Sequence, residues 1–315
     1  MIPSCTEKFI HKRVYGVCGK PVFFAQQKVT RYYNKAFKGK LAPYFFRGDI
    51  KNFYDCIDKK IILQKIQDLN LFEQADLDFI RSVVYKDVLQ DSLWQSFYKG
   101  LHTGLILVNL FANLYLFVLD EIIEEFSKFY VRVGDDFIAT FESEEQMKSV
   151  FENVVTEIKD LNLEFTYNFG DLREDEVEFL GYVYAGGKIS IRNSSLQRFE
   201  RTINKRFLTV SGDLPRRKDY FLKKLKGADG LDVYLNSFLD AYRFFNCDKQ
   251  AKQINHFLMR RINKFIFGYQ GLDNSEQLHE FLKSIGFETF YTKFWKLKTG
   301  KLRYKQIRKS DFRNA

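Results

Sequence analysis

Residues 130–141 read YVRVGDDFIATF. Two short β-rich runs, 129–133 and 137–141, flank Gly134-Asp135-Asp136, a pattern that predicts a hairpin with two acids at its tip. Gly and Asp are turn formers, so the tripeptide alone reads as an ordinary hairpin turn. Adjacent carboxylates in a tight turn nevertheless repel each other, and unpaired they lower stability. A divalent cation removes that cost, and hard oxygen ligands suit Mg2+ or Mn2+. Upstream, YFFRGDI at residues 44–50 reads as a short buried strand closed by a third acid, Asp49. Strand-end acids from two segments can hold two ions about 3.5–4 Å apart, an arrangement that stabilises attacking and leaving oxygens in phosphoryl transfer.

Outward from this core the periodicity turns helical. QQKVTRYYNKAF predicts a helix after the CGKP turn at 18–21. Residues 59–69 and 71–84 predict amphipathic helices. Residues 105–126 predict one long apolar helix that turns acidic at Asp120, Glu121, Glu124 and Glu125. Residues 143–161 predict a helix capped by Ser143. Residues 177–184 and 188–191 predict a second hairpin around Ala185-Gly186-Gly187. From Ser195 onward the pattern is helical and basic, which places a boundary near residue 190. No internal repeat or low-complexity tract occurs.

The 315 residues are 45% hydrophobic and 17% aromatic, which excludes disorder, and four Pro with 18 Gly exclude a linker-like or collagen-like chain. Cys5, Cys18, Cys56 and Cys247 share no CxxC or Cys/His spacing, so neither a zinc finger nor a disulfide framework is expected, and a reducing cytoplasm is. Met1 is followed by IPSCTEKF, with no apolar leader region. The most apolar run, 104–119, carries Asn109 and Asn113 and is short for a membrane span, so it reads as a buried core helix. His11, His102, His256 and His279 form no metal or triad spacing. The net charge of +10 is uneven: residues 191–315 hold 27 Lys+Arg against 12 Asp+Glu, and the remainder holds 23 against 28. A basic second part joined to an acidic first part fits a polyanion partner, or equally a solvated basic face.

Four segments occur in order: RGDIKNFYDCID (47–58), GLHTGLILVNLFANLYLFVLD (100–120), YVRVGDDFIATF (130–141) and EFLGYVY (178–184). Together they resemble polymerase motifs A, B, C and E of reverse transcriptases, in the bacterial lineage of group II intron, retron and diversity-generating-retroelement enzymes. The resemblance is close over 41–190 and loose elsewhere. It implies an α+β right-hand polymerase with reduced fingers at 1–40 and a palm of antiparallel sheet with packed helices at 41–190. Residues 191–315 would form a helical basic thumb and C-terminal region.

The resemblance also implies roles for individual residues. Asp49 would be the motif A ion ligand with the carbonyl of Ile50, and Asp135 and Asp136 the motif C pair, Asp135 the more direct ligand. The cofactor would be two Mg2+ or Mn2+ ions. Tyr54 would close against a ribose 2′-OH and favour dNTPs, with Thr103 and Gly104 at the nucleotide. Asn113 resembles the helix-borne motif B residue, and reads equally as a buried Asn bonded to backbone. Phe53 and Cys56 read as core residues. Leu180 and Gly181 would grip the primer end. Arg201, Lys205, Arg206, Arg216, Arg217, Lys223 and Lys224 would bind the duplex backbone, each also readable as a surface charge. The implied partners are an RNA template, a DNA product and dNTPs, with no membrane.

The sequence departs from the family pattern in four places. Val133 stands where motif C has an aromatic residue. Motif B has His102 in place of Pro and Val108-Asn109 in place of Ser-Gln. Phe169 stands near the place of the motif D lysine. Asp49 is preceded by 48 residues, where the family has well over a hundred; Arg13, Lys20 and Lys28 are the basic candidates for a triphosphate-binding role. A non-coding RNA or a protein partner completing the fingers is therefore expected as an alternative to a reduced fingers region. The altered motif B inclines the reading to anti-phage defence. The alternatives are a diversity-generating retroelement enzyme, a catalytically weakened RNA-binding scaffold subunit, and an RNA-templated RNA polymerase, since GDD occurs there too.

Overall fold

The computed structural model describes residues 12–15, 20–85, 99–101, 106–208, 213–227, 229–268 and 275–300. Its main sheet has five strands in the order β1-β3-β4-β2-β5: β1 (Val14–Tyr15), β2 (Tyr44–Ile50), β3 (Phe129–Val133), β4 (Asp136–Phe141) and β5 (Phe165–Asp171). All neighbours are antiparallel except β1 and β3, which pair in parallel. β2 lies between β4 and β5 and is buried at Phe45, Phe46, Gly48 and Ile50, covering both faces as a central strand requires. Opposite Gly48 the sheet has no room for a side chain: a Cβ there would stand 2.3 Å from the Phe137 ring.

The turn between β3 and β4 is shorter than the sequence suggests. Val133 pairs with Asp136, so the turn is Gly134-Asp135 and Asp136 opens the next strand. Gly134 takes φ +62°, the left-handed region that two-residue hairpins need at this place.

Helices cover the sheet. They are α1 (Val22–Ala36), α2 (Phe53–Cys56), α3 (Lys59–Asp68), α4 (Gln74–Val84), α5 (Ile106–Tyr115), α6 (Phe117–Phe126) and α7 (Glu144–Asp160). Local signals set their starts: the Asp58 side chain accepts from Lys60 N and Ile61 N, and the Ser143 side chain accepts from Gln146 N at 3.2 Å. One apolar cluster joins Phe46, Phe137 and Phe141 of the sheet to Ile62, Leu119 and Val154 of the helices.

The single helix expected over 105–126 is two helices. Leu116 leaves the helical region at φ −95°, ψ 6°. The two halves serve different neighbours: α5 packs on α3, whereas α6 packs on α7 and on β3 and β4. Tyr115 fixes the joint, since its buried hydroxyl accepts from Asp58 N at 3.2 Å and donates to Leu161 O at 2.6 Å. Past the break, Asp120 points inward rather than joining an acidic surface. It is 0% exposed and bound bidentately by Arg132, itself 1% exposed, at 2.7 Å from Nε and 2.6 Å from Nη2. The Tyr130 hydroxyl donates to the same carboxylate.

Strand β5 was not evident in the sequence. It runs along β2 from Tyr44 opposite Asp171 to Ile50 opposite Phe165. It is an edge strand with Thr166, Tyr167, Asn168 and Phe169 exposed, so no alternation marks it. The run 177–184 is also divided, into β6 (Val177–Phe179) and β7 (Tyr182–Ala185), which join β8 (Lys188–Ile191) in the order β6-β7-β8. Leu180 and Gly181, between β6 and β7, take φ +49° and +85°.

The chain divides into two compact units, Met1–Leu180 with Tyr184–Gly187, and Gly181–Val183 with Lys188–Ala315. The second contains α8 (Asn193–Arg206), α9 (Leu214–Leu225), α10 (Leu231–Ala241), α11 (Asp248–Phe267), α12 (Ser275–Ser284) and α13 (Phe290–Lys298). Its core includes Phe199, Phe221, Leu235, Leu258 and Phe294. No helix among the described residues is long and apolar enough to cross a membrane.

Removing one partner of a buried ion pair leaves the other charge uncompensated. Asp120→Ala is therefore expected to cost about 3–5 kcal/mol in urea unfolding, and Asp120→Leu combined with Arg132→Met to cost less than Asp120→Ala alone.

Candidate active site

The antiparallel pairing of β2 with β4 puts Asp49 directly opposite Asp136. Ile50 N donates to Asp135 O at 3.2 Å, which ties the end of β2 to the turn. Two strand carboxylates and one from the turn therefore share one end of the sheet. Side chains two apart on a strand face the same way, so Arg47 joins them. Its Nε donates to Asp136 Oδ1 at 3.0 Å, and its Nη2 lies 2.9 Å from that oxygen and 3.4 Å from Asp49 Oδ2.

Sequence reading missed Arg47. The available signal was its place two residues before Asp49 in a predicted strand.

The electrostatics follow from this crowding. The Asp136 carboxyl is raised to about 7, first by burial and also by the Asp49 charge, with Arg47 acting against the shift. Asp135 is also raised, first by burial and then by Asp49, with Arg132 and Arg47 opposing. Arg132 supports the turn directly: its Nη1 donates to Gly134 O at 2.8 Å.

Tyr54 stands beside the acids. Burial raises its phenol, and the Asp135 charge adds to the effect. Its hydroxyl donates to Asn109 Oδ1 at 3.1 Å. Both line a small cavity of about 20 Å3 with Asn113, Arg132 and Gly134. The Asn113 amide donates to Asn109 O at 2.6 Å, the backbone-bonded reading of that residue. Phe53 is core, and Cys56 packs against the core cluster. Thr103 and Gly104 lie outside the described residues. The segment just before them is anchored, with Gly100 N bonded to Ile57 O and Leu101 N to Tyr54 O.

Leu180 occupies the turn after β6, and its carbonyl accepts from Gln26 Nε2 of α1 at 3.2 Å. Gly181 belongs to the second unit, where its carbonyl accepts from Arg192 N. The basic candidates of the second unit differ among themselves. Arg201, Lys205, Arg216 and Lys223 are exposed, Lys223 pairing with Asp219 at 2.9 Å. Arg206 donates to Asp229 O and lies over the Tyr234 ring, while Lys224 donates to Arg206 O. Arg217 is half-buried, and its Nε has no hydrogen-bond partner among the described residues. In the first unit, Arg13 pairs with Glu124, Lys20 donates to Lys12 O and Lys28 lies over the Tyr15 ring.

Residues 4–184, more than half of the chain, match the family described as reverse transcriptase (RNA-dependent DNA polymerase). The chain belongs to the reverse transcriptase family. Its palm fold, a mainly antiparallel sheet with packed helices, is that of the family. Among solved structures, apo telomerase from Candida tropicalis is 12% identical at a TM-score of 0.47, covering 93% of this chain and 54% of that one. Telomerase from Candida albicans in complex with the TWJ fragment of telomeric RNA is 12% identical at a TM-score of 0.42, covering 96% and 55%. The chain thus spans about half the length of these structures. No curated protein matches it.

Reverse transcriptases use divalent cations. Among the described residues no three His, Cys, Asp or Glu side chains are grouped tightly enough to ligate one ion by themselves. The donor chemistry nevertheless fits. Mg2+ is commonly held by one or two carboxylates plus substrate phosphates and water, and burial together with the Asp49 charge has raised two of these acids.

A pH dependence follows without bound ions. Asp136 keeps its proton up to about 7 when folded, against an ordinary 3.8. The folded state therefore binds more protons in that window, and this group's contribution to stability is lost as pH rises through it. In EDTA, Asp136→Asn is expected to gain in Tm relative to wild type between pH 5 and pH 8. A difference that stays constant with pH contradicts the assignment.

Proposed function

We propose that this chain is an RNA-templated DNA polymerase acting by two-ion nucleotidyl transfer. The observation that carries the reading is the register that sets Asp49 opposite Asp136, with Asp135 in the adjoining turn, in a chain of the reverse transcriptase family. Asp49, Asp135 and Asp136, with the Ile50 carbonyl, would hold Mg2+ or Mn2+. Such ions lower the pKa of a primer 3′-OH and hold triphosphate oxygens. Tyr54, fixed at its hydroxyl by Asn109, would exclude a ribose 2′-OH, with Thr103 and Gly104 at the nucleotide. Leu180 and Gly181 would hold the primer end.

In this reading residues 1–40 are reduced fingers and 41–190 the palm. Residues 191–315 form the thumb, where exposed Arg201, Lys205, Arg216 and Lys223 contact phosphates of the RNA–DNA hybrid. The alternative to reduced fingers is a non-coding RNA or protein partner that completes that region. The four ordered motifs support a place in the bacterial lineage and the altered motif B a role in anti-phage defence, with diversity generation as the alternative; cysteine usage supports a cytoplasmic protein. Arg47, already paired with Asp136 and Asp49, lends weight to a second reading, a catalytically weakened RNA-binding scaffold subunit.

Purified protein, with any nucleic acid that accompanies it, should incorporate dNTPs in Mg2+ or Mn2+. Asp135→Asn should lower the rate about a thousandfold, and Tyr54→Val should reduce the preference for dNTP over NTP. Full activity in Asp135→Asn would sink the polymerase reading and leave the scaffold.

A further inference from the structure

A cleft of about 520 Å3 opens in the second unit, between the end of α9, the first turn of α10 and the segment that joins α12 to α13. Sites for small ligands run to roughly 300–1,000 Å3 and combine apolar walls with a few placed polar groups. This cleft has both. Leu225, Val233 and Phe287 contribute to its walls, and Asp232 and Lys293 line it as well.

Lys293 is 4% exposed, and a charge at that depth needs partners. Its Nζ lies 2.8 Å from Asp232 Oδ1 and donates to Asn236 Oδ1 at 3.0 Å. The Asn236 amide closes the triangle by donating to Asp232 Oδ2 at 3.5 Å. These bonds tie α10 to α13, yet they do not saturate the groups that make them. An ammonium carries three protons, and two of them have partners among the described residues. A carboxylate oxygen has about two acceptor positions, and each oxygen of Asp232 uses one. Asp232 Oδ2, Asp232 Oδ1 and Lys293 Nζ therefore present, in that order, an acceptor, an acceptor and a donor. A pair that served only to join two helices would be packed over, whereas the Asp232 side chain is 45% exposed and lines the cleft.

The complement of that row is donor, donor, acceptor along one edge of a small flat molecule. Among the nucleobases guanine alone has it, in N2–H, N1–H and O6. Adenine and cytosine place an acceptor beside the amine, and uracil has a single N–H between two carbonyls. Bases held in protein pockets are read by hydrogen bonds along this edge and by contact of their faces with aromatic and apolar side chains. Glu288, also in the cleft, is engaged by Lys296, which leaves Asp232 to read the base. Lys226, exposed and part of the lining, suits a phosphate.

We propose that this cleft binds a guanine base. Asp232 accepts from N1–H and N2–H, Lys293 donates to O6, and Leu225, Val233 and Phe287 form the apolar wall. The base arrives either in a free guanine nucleotide or as an unpaired guanine of an RNA strand. The proposal does not rest on the polymerase reading, since every described lining residue belongs to the second unit.

The test is calorimetric titration of the full chain, in EDTA, with nucleoside monophosphates. Guanosine monophosphate should bind one per chain. Inosine monophosphate lacks the N2 donor and should bind about tenfold more weakly. The adenosine, cytidine and uridine compounds should bind about a hundredfold more weakly or worse. Asp232→Asn turns one acceptor into a donor, and Val233→Trp fills the cleft from a position 46% exposed. Each should weaken guanosine monophosphate about tenfold or more. Asp135→Asn, in the other unit, should leave it within about twofold. A single-stranded RNA octamer of uridines with one guanine distinguishes the sources. An affinity about tenfold or more above the monophosphate, lost when inosine replaces the guanine, assigns the cleft to RNA. An octamer that gains nothing assigns it to the free nucleotide.

No binding of guanosine monophosphate up to millimolar concentration overturns the proposal. So does binding that adenosine monophosphate equals, or that survives Val233→Trp. An Asp232→Asn variant with a lower Tm and unaltered guanosine monophosphate affinity reduces the pair to a tie between helices, and is equally fatal. Should Asp232→Asn fail to fold, Val233→Trp and the inosine comparison decide.

Discussion

The buried pair of Asp120 and Arg132 is the point on which the acid-bearing hairpin rests. Its energy comes from geometry: two short charge-assisted bonds, a third donor in Tyr130, and no water to compete. Its position matters more than its strength. Arg132 lies on β3, Asp120 on α6, and the remaining guanidinium nitrogen reaches Gly134 O in the turn. A helix, a strand and the turn that carries Asp135 are thus fixed by one side chain. The break at Leu116 belongs to the same arrangement, because it frees α6 to pack on the sheet while α5 stays on α3.

On that support the protein gathers charges that resist being gathered. Burial raises the proton affinity of Asp135 and Asp136, and the charge of Asp49 adds to it. Arg47 and Arg132 offset part of the repulsion at Asp135. Their partners differ. Arg132 is committed to Asp120 and to a backbone carbonyl, and touches the acids only through its field. Arg47 contacts two of them. The site is therefore held in a shape that a proton or an arginine can each stabilise, and these compete for the same carboxylates.

Much of this was legible in the sequence, and the limits were physical. β2 was expected over 44–50 and observed as Tyr44–Ile50, because a short aromatic run ending in an acid admits few alternatives. Ser143 announced α7 because a cap is a local signal. The palm fold was legible from four ordered motifs. What escaped depended on partners distant in sequence. β5 is an edge strand with exposed side chains, and only its pairing with β2 defines it. Asp120 looked like one of four acids at a helix end until Arg132 was placed beside it. Arg47 looked like a strand residue until Asp136 was set across from Asp49. The break at Leu116 carries no Gly or Pro to mark it.

Gly48 has a meaning for the history of this site. Phe137 lies so close that a methyl group at position 48 would overlap its ring, one residue from Asp49 on one strand and one from Asp136 on the other. Neither position can drift alone. A larger residue at 48 becomes tolerable only after the ring at 137 has shrunk, and shrinking the ring first opens a void beneath the acids. The order of steps is forced and the intermediate is handicapped. Lineages that carry this pair should keep both members, or replace both together.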